Sequence, residues 1–423
     1  MGLYRSPLLT RYWLSGRLTC MVVAARLPGC SPLVWNAAAG GEASAVREEM
    51  HTMGTEAQYR AAVIGHTGRG NYGHGIVTSF VGLPNVEMVG LADPDPEGRA
   101  EAAAQCGAPR TYADPYAMLE EEQPNLVAVA TRWPDQHHDF FLAAAKVGAH
   151  IYSEKPLTRS LDEADRMLDA TDSRGLKVAM AHVWRVYPGV QRARALLEEG
   201  AIGHLRFMRS YGKMDRRGGG QCLMVLGTHQ FDLMRYITGT DPQWCQARVV
   251  QDGRDATAAD VRPGEEELGL IAGDGLWAAY GFPNGVTATY EAYVGDGQAP
   301  TYGLELHGSD GILILRSDAC YRYPRPYAGP LVDAAMNTQW EKIEVPPVPD
   351  PPGTPDGAPG QHPLNNMVVR DLLAAVDEDR EPLCSGHGAR WSLEMILAVY
   401  EAHRTGERVP LPLADRTHPL SRW

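Results

Sequence analysis

Arg60-Ala61-Ala62-Val63-Ile64-Gly65-His66-Thr67-Gly68-Arg69-Gly70-Asn71-Tyr72-Gly73 is the stretch that decides the fold. Its apolar opening reads as a strand buried on both faces, and the glycines behind it read as a turn whose backbone must approach a ligand closely. The next apolar run, Val86–Ala92, ends at Asp93, which lies 23 residues beyond Gly70. An acid near that spacing bonds a ribose hydroxyl in dinucleotide folds, so strand, turn and acid together describe a βαβ unit.

Counted from Gly65, the loop carries Thr67 at the second glycine position and Gly70 at the third, while a complete frame, Gly68-x-Gly70-x-x-Gly73, begins later. Gly65, Thr67, Gly68, Arg69 and Gly70 are therefore the expected pyrophosphate contacts. The Asp93 carboxylate would repel a 2′-phosphate, and Pro94 and Asp95 offer no cationic clamp, so NAD is expected rather than NADP.

Composition narrows the class. A chain of 423 residues exceeds one ordinary core, which predicts two domains. Hydrophobic residues make up 44% and charged residues 22%, and no apolar run approaches the roughly 20 residues of a membrane span. A net charge of −13 disfavours a phosphate backbone as partner and leaves a small molecule. The seven cysteines are scattered without a Cys-x-x-Cys pair, which predicts reduced thiols, no metal, and a cytoplasmic setting.

Residues 1–57 differ from the remainder of the chain. The first forty carry Arg5, Arg11, Arg17 and Arg26 and no acid or lysine. Arg26 interrupts the apolar piece Leu18–Ala25, so the segment is expected to be a disordered extension or to precede a natural start at Met50 or Met53; export is the alternative if residues 1–45 act as a signal.

From 58 to 181 the pattern alternates. Strands are predicted at Asn125–Thr131, His150–Ser153 and Lys177–Ala181, with helices over Phe140–Val147 and after the capping box Ser160-Leu161-Asp162-Glu163. From 182 to 423 short β-rich runs dominate, including Leu205–Tyr211, Gln246–Val250, Leu276–Phe282, Val286–Tyr293 and Ile312–Leu315, with hairpin signals such as Pro283-Asn284-Gly285. A proline-dense surface loop is read over Pro346–Pro363, and two helical patterns come after it, near Asn365–Asp377 and Arg390–His403. The prediction is an α/β Rossmann N-terminal domain followed by an α+β C-terminal domain with an open, mostly antiparallel sheet.

Several further motifs complete a family pattern: Ala92-Asp93, Ala130-Thr131 followed by His137, Glu154-Lys155-Pro156, Arg185, and Gly227-Thr228-His229-Gln230-Phe231-Asp232. With the opening strand they make residues 58–413 resemble the glucose-fructose oxidoreductase, inositol dehydrogenase and rhizopine-catabolism (Gfo/Idh/MocA) family of NAD(P)-dependent oxidoreductases. The resemblance implies that Lys155 sits beside nicotinamide and substrate with His229 facing it. It implies that Glu154, Thr131 and His137 lie at the cofactor, and that the chain forms a homo-oligomer, a dimer or tetramer. His137 is preferred to His138 by its spacing from Glu154.

The chemistry agrees with that placement, because oxidising an alcohol needs a base at the oxygen, and a desolvated lysine beside a cationic ring can serve. Arg185 is expected on a substrate hydroxyl or carboxylate. One position departs from the pattern: Val225 stands where many members carry a substrate-contacting aspartate, with Asp215 and Asp232 as partial substitutes. The leading expectation is NAD-dependent oxidation at a secondary hydroxyl of a sugar, cyclitol or derivative. Redox-neutral elimination, epimerisation or glycoside cleavage with retained NAD, and a non-catalytic NAD-binding sensor, stay open.

Overall fold

The computed structural model describes residues 58–295, 303–316, 320–323, 340–350 and 362–423. The expected extension over 1–57, its signal-segment alternative, Cys20, Cys30 and most of the proline-dense loop lie outside the described residues.

Six parallel strands form the first sheet: β1 (Tyr59–Ile64), β2 (Val86–Ala92), β3 (Thr111–Tyr112), β4 (Leu126–Val129), β5 (His150–Ser153) and β6 (Val178–Met180), in the order β3-β2-β1-β4-β5-β6. The order reverses between β1 and β4, and ligands of open α/β sheets bind in the crevice outside the strand ends at such a point. Ala61 to Ile64 and Leu126 to Val129 are wholly buried because helices cover both faces. Ser160 caps the helix Leu161–Asp172, accepting the Glu163 N–H at 3.2 Å as the capping box predicts.

One element of the expected βαβ unit is missing. Between β1 and β2 no α-helix forms, and a single 3₁₀ turn, Ile76–Thr78, takes its place. The cause is in the sequence: Gly68, Gly70, Gly73, Gly75 and Gly82 all adopt positive φ, as does Asn71, and a chain so interrupted cannot propagate a helical ladder. No α-helix N-terminus therefore stands directly behind this loop to meet an anion.

The second sheet starts at β7 (Leu205–Tyr211). From one edge it runs Glu341–Ile343, Cys320–Tyr323, Ile312–Leu315, Gly303–Gly308, β7, Thr287–Tyr293, Gly275–Gly281, Trp244–Gln251 and Val409–Pro410. All these pairings are antiparallel except that of β7 with Thr287–Tyr293. Alternation sorts its faces: Tyr280 and Tyr290 point inward, where both meet Phe231 of the helix Thr228–Thr238 edge-on at ring distances of 5.2 and 5.1 Å. Trp277 and Tyr293 lie on the opposite, exposed face.

Two helices close the chain, His362–Asp377 and Gly386–Thr405. The first returns to the nucleotide-fold half. Its Asn365 accepts a hydrogen bond from the Tyr152 hydroxyl and donates to the His74 carbonyl, while Asn366 donates to Ser79 and Val81 carbonyls. The second packs under the sheet, where Tyr280 donates to the Met395 carbonyl. Cys106, Cys222, Cys245, Cys320 and Cys384 are free thiols, all buried.

Candidate active site

The crevice is built from the ends of β1, β4 and β5 on one side and the segment preceding Thr228–Thr238 on the other. Strand β5 runs directly into Glu154 and Lys155. Glu154 is fully buried, and its Oε1 meets His74 Nδ1 at 2.7 Å and Lys155 Nζ at 4.0 Å. Burial opposes ionisation of Glu154, but His74 and Lys155 outweigh it and hold the carboxyl below its ordinary value. Gly73 is required above it, because a Cβ there would sit 2.7 Å from Glu154 Oε2.

Lys155 is 7% exposed, and its Nζ donates to the Val225 carbonyl at 3.2 Å. Val225 lies in a π turn, Leu223–Gly227, whose hydrogen bonds skip to i→i+5 and displace carbonyls from the regular ladder. The backbone of this turn thus meets the lysine at the position where the family pattern places a carboxylate. Burial pushes the Lys155 ammonium below the ordinary lysine value. Glu154 resists, and Arg132 and Lys213 add to the depression.

His229 opens the helix behind this turn. Its ring stacks on Trp184 at 5.2 Å and meets His182 edge-on at 5.5 Å, and its Nδ1 is buried with no hydrogen-bond partner. Burial, followed by the nearby Lys155, His182 and His74, holds His229 well below the ordinary histidine value, so it is neutral. Beneath it, His182 Nε2 meets Thr228 Oγ1 at 2.9 Å and His182 Nδ1 lies 3.3 Å from Asp232 Oδ1. His182, Trp184 and His74 have no signal of their own in the sequence. The first two come just after β6 at the crevice floor, a placement that the run Lys177–Ala181 could have flagged.

Other expected site residues are occupied with one another. Arg185 donates through Nε to Asp232 Oδ2 at 2.7 Å and through Nη1 to the Leu383 carbonyl at 2.8 Å. Burial opposes the Asp232 charge, but Arg185 and His182 hold its carboxyl far below the ordinary range. Asp215 is taken by Arg217, with a contact of 2.7 Å. His137, fully buried, has Nε2 2.7 Å from the Thr131 carbonyl and Nδ1 at 3.0 and 3.1 Å from the Pro156 and Leu157 carbonyls. It pins the end of β4 to the Lys155 loop, so its ring nitrogens are spent on backbone and do not face the crevice.

At the nucleotide end, Gly68 has φ +85° and no atom within 4 Å of where a Cβ would be, which leaves room beside it, while its N–H is spent on Asn71 Oδ1 at 3.0 Å. A Cβ on Gly65 would strike the Tyr72 ring at 2.0 Å. Thr131 Oγ1 and Glu154 Oε2, at the ends of β4 and β5, are buried with no partner. Free space beside a side-chain-less loop residue suits a pyrophosphate and unpaired buried oxygens suit a carboxamide, so these residues fit a nicotinamide dinucleotide. Asp93 is fully buried: its Oδ2 accepts the Thr67 N–H and hydroxyl at 2.9 and 2.7 Å, and its Oδ1 accepts the Asp95 N–H at 2.9 Å. The threonine at the second glycine position therefore seats the loop on the acid. Arg69 pairs with Asp135 at 2.7 Å and lies over the Trp133 ring. Arg132 spans the crevice to Glu266 with contacts of 2.8 and 3.1 Å, linking the two lobes through a turn in which Glu266 and Glu267 hold φ of 60° and 53°.

A model for the oxidoreductase family with an NAD-binding Rossmann fold matches residues 59–182, and one for the GFO/IDH/MocA C-terminal domain matches 190–314. Levoglucosan dehydrogenase of Pseudarthrobacter phenanthrenivorans is 28% identical over 250 residues, which are 53% of this chain and 64% of that protein. D-apiose dehydrogenase of Paraburkholderia graminis is 24% identical over 394 residues, 87% of this chain and 94% of that protein. The solved levoglucosan dehydrogenase complex with NADH and levoglucosan superposes with a TM-score of 0.66 at 21% identity, covering 84% of this chain and 99% of that one, a likeness of fold. With both the nucleotide-binding and the following domain matched over more than half its length, the chain belongs to the Gfo/Idh/MocA family of NAD-binding oxidoreductases.

Proposed function

We propose that this protein oxidises a secondary hydroxyl of a sugar, cyclitol or related polyol with NAD, and reduces the matching ketone in reverse. The observation that carries the reading is the buried Lys155 ammonium at the end of β5, held by Glu154 and the Val225 carbonyl beside a neutral His229. NAD, when bound, supplies the hydride acceptor. Lys155 takes the hydroxyl proton at Nζ, and burial lowers the cost of its neutral form. His229, clamped by Trp184 and His182, offers a neutral imidazole to the same oxygen or its neighbour. Glu154 orients the lysine, His137 fixes the loop that carries it, and the Arg185–Asp232 pair with His182 supports His229 from below. The names of the relatives, dehydrogenases of levoglucosan and D-apiose, support the substrate class.

The direct test is formation of reduced nicotinamide with NAD and with NADP across a panel of sugars, cyclitols and their acids. No turnover with any of them would refute the reading. A pH profile adds a second check. For oxidation the lysine must be deprotonated, so kcat/KM rises with pH, with a midpoint below the ordinary lysine value because burial depresses it. A rate independent of that ionisation would remove Lys155 from the proton path.

The charge of Asp93 supports NAD over NADP, since a carboxylate at the end of β2 repels a 2′-phosphate even though Thr67 and Asp95 hold both its oxygens and no free oxygen is left for the expected ribose contact. Replacing Asp93 with serine is expected to narrow the NAD preference by about tenfold, roughly 1.4 kcal/mol, measured as the ratio of kcat/KM for the two cofactors. We also infer a homo-oligomer, dimer or tetramer, supported by Trp277 and Tyr293 on the exposed face of the second sheet, and a cytoplasmic setting, supported by the free buried thiols.

A further inference from the structure

The crevice holds an ammonium that the proton chemistry does not use. Lys213 comes directly after β7 and Gly212, and its backbone N–H donates to Cys222 Sγ at 3.4 Å. Cys222 lies three residues before Val225, the residue whose carbonyl receives Lys155. Lys213 is therefore anchored against the same short helical segment as the catalytic lysine. The two ammonium groups repel, and Arg132 repels Lys213 as well.

No described carboxylate pairs with this half-buried lysine. Asp215, two residues along, attracts it but is held by Arg217. Glu266 is taken on both oxygens by Arg132, Glu154 by His74, and Asp232 by Arg185. Among the described residues the Lys213 ammonium has no hydrogen-bond or ion-pair partner. Val225 compounds the surplus, since the family pattern would put an aspartate on this wall to receive neutral hydroxyls.

A half-buried cation without a paired counter-charge has lost hydration and regained little, a deficit that an anionic ligand reverses. A neutral polyol leaves it unpaired. From this arrangement we propose that the substrate is a sugar acid, an aldonate- or uronate-type polyol whose carboxylate is held by Lys213 while Lys155 deprotonates the hydroxyl being oxidised. The inference rests on the oxidoreductase reading of this crevice and narrows its substrate class. Lys213 is a specificity residue here, and Lys155 remains the base.

The test compares matched acids and neutral compounds, D-gluconate and D-glucuronate against D-glucitol and D-glucose, with NAD and the full-length protein. The acids are expected to exceed their neutral partners by about tenfold or more in kcat/KM, the size of one charge-assisted contact of roughly 1.5 kcal/mol. Lys213→Gln should collapse that ratio, chiefly through KM, and Lys213→Arg should restore part of it. Val225→Asp, which puts a carboxylate back on this wall, should move the preference toward neutral polyols. Equal or better use of the neutral compounds by the unmodified protein, abolished by Lys155→Met, would overturn the sugar-acid assignment and leave the enzymatic reading intact. An acid preference that survives Lys213→Gln would overturn the role of Lys213. Reduced nicotinamide formed at an unchanged rate by Lys155→Met would overturn the enzymatic reading itself.

Discussion

Lys155→Met is expected to lower kcat for polyol oxidation by about 10³-fold, within the range that a positioned acid–base group contributes. The methionine conserves the apolar stem that fills the space beside Val225 and removes the amine that the proposed mechanism puts at the reacting oxygen. Glu154 keeps His74 as partner at 2.7 Å, so the loss should fall on kcat, and NAD affinity should change by no more than a few-fold. Lys155→Arg should not rescue the rate, because a guanidinium does not surrender its proton near neutral pH. Retention of more than about a tenth of the wild-type kcat in the methionine variant would contradict the acid–base role.

The second large effect is on stability. Arg185→Met removes the main counter-charge of Asp232, a wholly buried carboxylate left with His182, and breaking such a pair typically costs about 3–5 kcal/mol. Thermal unfolding should shift down by roughly 3–6 °C. Asp232 in the intact protein is depressed below its unfolded value. Its contribution is present above that unfolded value and fades as pH falls toward the folded one. Without Arg185 the carboxylate protonates more readily, so the deficit of the variant should shrink in acid. Adding Asp232→Asn should recover part of the loss, and a double variant no more stable than Arg185→Met would show that the charge is not the cause.

Much of the fold is legible in the sequence because its strands are chemically plain. Val86–Ala92, His150–Ser153, Leu205–Tyr211 and Ile312–Leu315 form where short runs of apolar, aromatic and β-branched residues between turn signals predict them. The helix Pro96–Cys106 escapes such a reading, because an Asp-Pro pair also marks turns, whereas here Asp95 is an N-cap and Pro96 takes the first helical position. The absent helix after β1 is the opposite error. The dinucleotide pattern implies a helix there, and five glycines with positive φ overrule it.

At the site, the order of motifs along the chain brings Glu154, Lys155 and His229 into one crevice. What one sequence does not display is which polar groups satisfy each other. Arg185 and Asp232 are 47 positions apart and bond directly, and Arg132 finds Glu266 across 134 positions. Such pairings depend on the packing of two lobes and leave no local signature, which is also why Lys213 stands out only once its neighbours are seen to be taken.

The return of the helix His362–Asp377 to the first lobe has a consequence for biosynthesis. Tyr59, the first residue of β1, donates to Asp377, and the turn after the glycine loop hangs on Asn365 and Asn366. A growing polypeptide therefore emerges with its nucleotide half unfinished until the far end has been translated, and loop-closure entropy over some three hundred residues stands against early completion. A nascent chain stalled at residue 360 would expose apolar surface around Val77 and Phe80, so its first lobe is expected to aggregate or to be cut by protease where the longer chain resists.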